Sequence, residues 1–361
     1  MQRNLTVQRG TVLAVLVLAV GISAVGIALG PAPARAEIYV SSSGNNSLRV
    51  FADFADGDDA PVRVLAGPIS GLQAVGRVAL DTMHEEQFVI PGSNQDAVVV
   101  YPIDADGDIA PIRRLSGIST GIDWAVSVAV DPYNDELYVL SLSNDSILVY
   151  PRAADGDVAP LRTISGARTT MNAPFSFFVD LQSDEIFVSN PLGGDSVLVF
   201  SRTADGDVPP IRTLVGPSTL LDTFNGLFVS QRFDELYVAH ADDSMITVYP
   251  RDADGDVAPI RTIAGPNTTI DFGIGIVLTR DDELLISSNS SDVVLAFPRL
   301  ADGNVAPSRS ITGAMTGLSF PSAIASTRAA EGAVGFVLPP AEIFADGFES
   351  GDVSAWSSTS P

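Results

Sequence analysis

Two sets of side chains in this sequence have the chemistry needed to bind a cation. The first set is an Asp-x-Asp-Gly-Asp spacing that occurs twice, at Asp104, Asp106, Asp108 and at Asp252, Asp254, Asp256. Several carboxylates around a tight glycine turn supply the hard oxygen ligands that calcium prefers. The spacing therefore predicts a calcium site. Asp-Gly is also favourable chemistry for a hairpin turn, and no glutamate stands where an EF-hand loop would need one, so both interpretations stay open.

The second set is a column of polar residues that recurs at intervals of 48 to 50 residues along the chain. Its members are Gln73, Asp123, Asn172, Asp222, Asp271 and Ser319. If the chain closes into a ring, six such side chains would surround the mouth of a central channel and hold a cation or a polar ligand. The alternative is that they cap the backbone of their own turns.

The composition excludes several other kinds of site. The chain has 361 residues and no cysteine, so disulfides, thiol nucleophiles and thiolate metal ligands are absent. His84 and His240 are the only histidines, which is too few for a multi-histidine metal cluster, and we expect His240 in a surface turn. We therefore predict no catalytic residue. The net charge of −24 argues against nucleic acid or anionic lipid as a partner.

An internal repeat decides how these side chains are positioned. At a near-constant spacing, the glycine of an Ala-Asp-Gly segment occurs at Gly57, Gly107, Gly156, Gly206, Gly255 and Gly303. A near-constant period of 48 to 50 residues is typical of a repeat architecture. One copy reads as four strands, at 126–130, 136–140, 147–150 and 161–164. The third strand is apolar on both faces, and the fourth begins after a proline, which places it at the sheet edge.

These strands predict an all-β fold, a six-bladed β-propeller of four-stranded antiparallel blades. A solenoid of parallel strands is the alternative. The segment 37–40 matches the second strand of other repeats, such as 136–139. The final repeat has a first strand at 322–326 with no second strand assigned after it. We therefore expect the N-terminal strands to pair with this C-terminal strand and close the ring. Residues 333–338 also resemble a second strand and would compete for that place.

The two ends of the chain suggest processing signals. Arg3 and Arg9 precede an uncharged apolar stretch, and Ala34-Arg-Ala36 offers a small-residue cleavage pattern. We assign 1–36 to a signal peptide, with an uncleaved membrane anchor as the alternative, 37–338 to the propeller and 339–361 to a tail. With the signal removed, the mature chain has no predicted membrane span.

The repeat also resembles known families. Ile38-Tyr-Val-Ser-Ser-Ser-Gly-Asn-Asn-Ser-Leu-Arg-Val-Phe51 and the stretch 136–150 are similar to NHL and YVTN-type propeller repeats. The Gly-Asp-Val-Ala-Pro-x-Arg-Thr-Ile-x-Gly segment resembles secreted bacterial propellers of unassigned activity. The tail stretch 343–356, with Phe344 and Trp356, resembles a short motif at the end of some secreted bacterial proteins, which would be a sorting or attachment tag or the remnant of a lectin-like strand. These resemblances imply a secreted, periplasmic or cell-surface protein.

Three functions remain open on the sequence. The regular copies and the lack of a distinctive nucleophile favour a non-catalytic monomer that binds a protein partner or a small polar ligand through one face. A resemblance to gluconolactonase-type propellers implies a metal-dependent hydrolase, with a channel cation that activates water. Asp123, Asn172, Asp222 and Asp271 would supply its ligands, but the column shows no catalytic glutamate or histidine. The third function is a structural surface module stabilised by calcium.

Overall fold

The computed structural model describes residues 36–92 and 95–329. The segment 1–35, the strand predicted at 333–338 and the tail from 339 lie outside the described residues. Within them, no helix is long and apolar enough to span a membrane.

The described residues form 24 strands in six antiparallel sheets of four strands each. Blade 1 contains β1 (Glu37–Ser42), β2 (Ser47–Ala52) and β3 (Arg63–Ala66). Blade 2 contains β4 (Val78–Asp81), β5 (Glu86–Val89), β6 (Ala97–Pro102) and β7 (Arg113–Ser116). Blade 3 contains β8 (Ala125–Asp131), β9 (Glu136–Ser141), β10 (Ser146–Pro151) and β11 (Arg162–Ile164).

The second half of the ring repeats this arrangement. Blade 4 contains β12 (Ser176–Asp180), β13 (Glu185–Asn190), β14 (Ser196–Ser201) and β15 (Arg212–Leu214). Blade 5 contains β16 (Phe224–Ser230), β17 (Glu235–His240), β18 (Met245–Pro250) and β19 (Arg261–Ile263). Blade 6 contains β20 (Gly273–Leu278), β21 (Glu283–Ser288), β22 (Val293–Pro298) and β23 (Arg309–Ile311), and β24 (Pro321–Ser326) returns to blade 1. Short 3-10 turns lie at Ser43–Asn45, Ile118–Thr120, Ala167–Thr169, Pro191–Gly193 and Pro266–Thr268.

The strand order confirms the predicted propeller and excludes the solenoid. In blades 2 to 6 the four strands are hydrogen-bonded in sequence order, so the first strand lies at one edge of the sheet and the proline-led fourth strand at the other. Blade 1 is completed by β24, which pairs with β1 through contacts such as Tyr39 with Ala325. The predicted closure by strands from the two ends of the repeat array is therefore confirmed.

The antiparallel order defines two faces of the disc. One face carries the turns between second and third strands and the loops that join one blade to the next. We call it the upper face. The lower face carries the turns that follow first and third strands. The core lies between the blades because inner strands are apolar on both sides, and Phe178 of blade 4 meets Phe228 of blade 5 edge-on at 5.1 Å between ring centroids.

The repeated Ala-Asp-Gly hairpin joins each blade to the one before it. In blade 2, the Gly107 N–H donates to the Val64 carbonyl at 2.8 Å, and the Gly107 carbonyl accepts from the Ala66 N–H at 3.2 Å. Parallel bridges of this kind join all six neighbouring pairs of blades. We call this contact the interblade clasp. Its backbone geometry is the same in every copy, which explains why the hairpin sequence recurs.

Carboxylates of the hairpin complete the clasp. Asp106 Oδ1 accepts from the Val64 N–H, and Asp108 Oδ1 accepts from the Ile69 and Ser70 N–H groups at 2.8 and 2.9 Å. Gly67 faces Asp108 so closely that a Cβ would lie 2.3 Å from the carboxylate carbon, and its φ of +123° also favours glycine. The glycine that ends each repeat is therefore needed for the approach of the next blade.

A ring of buried ion pairs supports the lower face. The glutamate that begins each second strand meets the arginine that begins the fourth strand of the same blade, at 2.5 to 2.8 Å. The pairs are Glu37–Arg63, Glu86–Arg113, Glu136–Arg162, Glu185–Arg212, Glu235–Arg261 and Glu283–Arg309. Arg152 and Arg202 reach back from the next blade to Glu86 and Glu136. Many acids of the lower turns are therefore neutralised inside the protein.

The ion pairs make stability depend on pH. Burial alone would raise the pKa of the Glu136 carboxyl, but hydrogen bonds from Arg162 and Tyr138 outweigh it and hold that pKa below its usual range. The Glu86 and Glu235 carboxyls behave in the same way. Their stabilisation is present above the unfolded pKa of roughly 4.3 and is lost as the pH falls through the lower folded values.

Glu136→Gln should lower the free energy of unfolding by about 3 kcal/mol, because it leaves Arg162 without its carboxylate partner and removes one of the three carboxylates that pair with Arg202. Urea unfolding at neutral pH measures the change. Asp135→Asn is the matched control, since that carboxylate bonds Arg152 but its side chain is 77% exposed. We expect the control to lose less than about 1 kcal/mol. Equal losses in the two variants would contradict a role for the buried ring.

Candidate functional site

A cavity opens at the centre of the upper face, and all six blades contribute to its wall. Its volume is about 200 Å³. The residues that line it are Ala74, Gly76, Arg77, Ile90, Ala125, Val126, Phe175, Asn225, Ile274 and Ser322. Most of these side chains are apolar, and Arg77 is the only charged one among them. A concave, largely apolar pocket with a few polar groups is typical of a small-molecule site.

The polar column predicted from the sequence lies on the loops of this face, but its side chains do not line the cavity. Gln73, Asp123, Asn172, Asp222 and Asp271 are exposed, and Ser319 is half-buried. The lining residues follow three or four positions later, where each loop enters a first strand. A role for the column in holding a cation or a polar ligand stays a prediction.

In five blades the backbone of the column is fixed by a side chain at the end of a second strand, whereas in blade 2 the Gln73 N–H donates to the Pro91 carbonyl. Ser141 Oγ accepts from the Asp123 N–H at 2.9 Å and donates to the Asp123 carbonyl at 2.7 Å. Ser288 makes the same pair of bonds with Asp271, and Asn190 accepts from the Asn172 N–H. Each loop is therefore held in place before it reaches the channel.

The residue after each column position has a left-handed backbone. The six residues are Ala74, Trp124, Ala173, Thr223, Phe272 and Phe320, with φ between 39° and 57°. This region disfavours bulky side chains, so the conformation requires support from outside. At Trp124 and Phe320 the support is a carboxylate of the preceding blade: Asp96 accepts from the Trp124 N–H and Asp292 from the Phe320 N–H, both at 2.7 Å. As a result Trp124 and Phe320 stand about half exposed on the upper face.

Arg77 spans the channel at the floor of the cavity. Its Nη2 donates to the Asn225 carbonyl at 3.1 Å, and Asn225 belongs to blade 5, opposite blade 2 in the ring. Arg77 also lines a deeper cavity of about 70 Å³ that continues between the first strands. Its acceptor is therefore a neutral carbonyl and not an acid of the polar column. Burial lowers the pKa of Arg77 to about 10, so the guanidinium stays charged at neutral pH.

His240 is not a surface residue, which corrects the sequence-based expectation. It is the last residue of β17 and is fully buried. Its Nδ1 lies 3.1 Å from the Asp222 carbonyl and its Nε2 lies 2.8 Å from Thr247 Oγ1. The imidazole therefore occupies the structural place that Ser141 and Ser288 hold in other blades. A polar residue at the end of a predicted strand was the sequence signal for this role.

The Asp-x-Asp-Gly-Asp residues lie in the interblade clasps. Asp106 and Asp108 bond the backbone of blade 1, while Asp254 and Asp256 accept from the Thr213 and Ser218 N–H groups of blade 4. The first aspartates, Asp104 and Asp252, are exposed. Across residues 36–92 and 95–329, no group of three or more His, Cys, Asp or Glu side chains is arranged to hold a metal. Calcium at these hairpins stays a prediction.

Comparison with known proteins identifies the fold class. No protein-family model matches the chain, and no curated protein matches it. Among solved structures, it is similar to the WD40 β-propeller domain of Doa1, with a TM-score of 0.51 and 14% sequence identity. The alignment covers 77% of this chain and 79% of that chain. A likeness at this identity shows the fold alone: this chain is a β-propeller repeat protein.

Asp108→Ala should lower the free energy of unfolding by about 1–3 kcal/mol, because the Ile69 and Ser70 N–H groups lose a charged acceptor. Urea unfolding in the presence of a chelator and again with calcium measures the change. Asp104→Ala is the control, since that side chain is also exposed but bonds no backbone group among the described residues. A loss for Asp108→Ala that occurs only with calcium, and is shared by Asp104→Ala, would contradict the clasp role and support a metal site.

His240→Gln should make stability less dependent on pH. Burial lowers the pKa of His240 despite its hydrogen bond with the Asp222 carbonyl. Below the unfolded pKa of histidine, roughly 6.5, the unfolded chain therefore binds a proton more readily than the folded protein does. As a result, the free energy of unfolding decreases as the pH decreases. Urea unfolding at a series of pH values from about 5.5 to 7.5 should show a shallower fall in the variant. His84→Gln is the control, and a fall in His240→Gln as steep as in the parent would contradict the assignment.

Proposed function

We propose that this protein is a secreted, non-catalytic binding protein that takes its ligand at the centre of the upper face. The observation that carries the proposal is the cavity to which all six blades contribute. Its wall is mainly apolar, with Arg77, Asn225 and Ser322 as polar groups. Such a wall supports the binding of a small molecule, or of one side chain of a partner, that is partly apolar.

The rim of the cavity supports the same function. Trp124 and Phe320 are held in left-handed conformations that are unfavourable for aromatic residues, and both remain about half exposed. Energetically costly backbone conformations are often retained where they position side chains for binding. Exposed aromatic side chains beside a pocket add contact area at low entropic cost because they have few rotatable bonds.

Secretion and the finer family assignment rest on sequence. The charged start, apolar stretch and small-residue pattern of residues 1–36 support export, and the Tyr-Val strands support an NHL or YVTN-type repeat. N-terminal sequencing of the protein recovered after expression in a bacterium would test export. A mature chain that begins at Glu37 is the expected result, and an intact N-terminus would contradict cleavage.

Filling the cavity should weaken binding while leaving the fold intact. The reporter is Trp124, observed alone in a Trp356→Phe background because the chain has only two tryptophans. We use 1-hexanol and hexanoate as transparent probes that share an apolar body. At least one of them should change the Trp124 emission saturably in the parent, and Ile274→Phe should weaken that response by about tenfold by occupying the cavity.

Ile260→Phe is the matched control, since Ile260 is half exposed and lies outside the cavity. It should bind like the parent. Thermal unfolding checks that both variants are folded. If neither probe gives a saturable response in the parent, or if Ile274→Phe binds as well as Ile260→Phe, the proposed site is wrong.

A further inference from the structure

We propose that Arg77 binds the carboxylate of a small, otherwise apolar monocarboxylic acid that enters the central cavity from the upper face. This inference rests on the proposed function and deepens it, since it assigns the ligand class and the residue that recognises its charged group.

The position of Arg77 is the first step of the argument. Arg77 immediately precedes β4, and its side chain crosses the channel to the Asn225 carbonyl on the opposite blade. It lines both the upper cavity and the deeper one. The guanidinium therefore forms the floor on which a molecule entering from the upper face would rest.

The charge of Arg77 is the second step. Other arginines that are largely removed from solvent, such as Arg63 and Arg113, meet a glutamate at 2.6 to 2.7 Å. Among the described residues, Arg77 has a neutral carbonyl as its hydrogen-bond acceptor and forms no ion pair. A charge largely removed from bulk water is unfavourable without a counter-charge. In a chain of net charge −24, a positive group that forms no ion pair within the described residues is placed to receive an external anion.

The shape and chemistry of the cavity narrow the class of anion. A guanidinium offers parallel N–H donors that match a carboxylate, and one positive charge balances one negative charge. The walls above it, including Val126, Phe175 and Ile274, offer no charge to a second anionic group. An aliphatic or aromatic body would instead bury apolar surface there. A monocarboxylate fits both parts of the site.

The acidic surroundings add selectivity. Asp123, Asp222 and Asp271 are exposed on loops of the same face. Their repulsion of an anion is screened over about 8 Å at physiological ionic strength, whereas the buried attraction of Arg77 is screened less. A ligand with one charge that reaches Arg77 therefore gains more free energy from this attraction than it loses to the repulsion. A polyanion would keep its other charges near the acidic loops.

The test compares hexanoate with 1-hexanol in the Trp356→Phe protein, with Trp124 emission as the readout and melting temperature as a second one. Hexanoate should bind the parent at least about tenfold more tightly than 1-hexanol, as a charge-assisted bidentate contact implies. Arg77→Met should remove that advantage and leave 1-hexanol binding within about twofold of the parent. Arg77→Lys should keep part of it, since the charge remains but the planar fork is lost.

Two outcomes overturn the inference. Equal affinity of the two probes for the parent protein would do so without any variant, which covers the case in which Arg77→Met fails to fold. Unchanged hexanoate affinity in a folded Arg77→Met would do so as well. In both cases saturable binding of either probe keeps the proposed function, whereas a lack of binding by both probes removes the proposed function together with this inference.

The carboxylate could belong to a free acid or to the C-terminus of a peptide. Parallel titrations with the peptide Ala-Ala-Ala-Leu, as the free acid and as the amide, distinguish these sources. Tighter binding of hexanoate than of the free-acid peptide supports a free acid, and tighter binding of the free-acid peptide than of both hexanoate and its amide assigns the same site to a chain terminus. Equal binding of peptide acid and amide, with hexanoate no tighter than 1-hexanol, contradicts recognition of a carboxylate.

Discussion

The interblade clasp is the contact on which the rest of the structure depends. Each blade is a small four-stranded sheet, and an isolated sheet of this size would leave both apolar faces in water. The hairpin backbone at Gly107 and the carboxylate of Asp108 fix the angle and distance between two blades. Repeated six times, this contact sets the curvature that closes the ring and leaves a channel at its centre.

The fold could be predicted from the sequence because its determinants are local and repeated. Proline before each fourth strand marks the edge, and the unpaired first strand at the C-terminal end of the array requires the N-terminal strands as partners. The role of the hairpin aspartates was harder to predict from the sequence, because they accept hydrogen bonds from backbone N–H groups some 38 to 42 residues away along the chain. Asp-Gly-Asp reads as a metal loop or a turn until the neighbouring blade is in place.

The candidate site was only partly predictable for a related reason. The polar column lies on the same face as the cavity, but the cavity is lined by residues three or four positions later, such as Val126 and Phe175. Apolar residues at the start of a strand are ordinarily expected in the hydrophobic core. Arg77 interrupts this pattern, and its contact with Asn225 crosses the whole channel, so no local signal gives its partner. The sequence-based expectation for His240 was wrong because an isolated histidine in a sequence carries no indication of whether it is buried.

The closure of the ring decides from which face the protein can be attached to another domain or to a surface. The Thr327 N–H donates to the Glu37 carbonyl at 3.1 Å, so the two ends of the described ring lie side by side. Both are at the lower face, because β24 ends there and β1 begins there. A tether or a fused domain joined at either end would leave from that face and hold the cavity pointing outward, toward the surrounding medium.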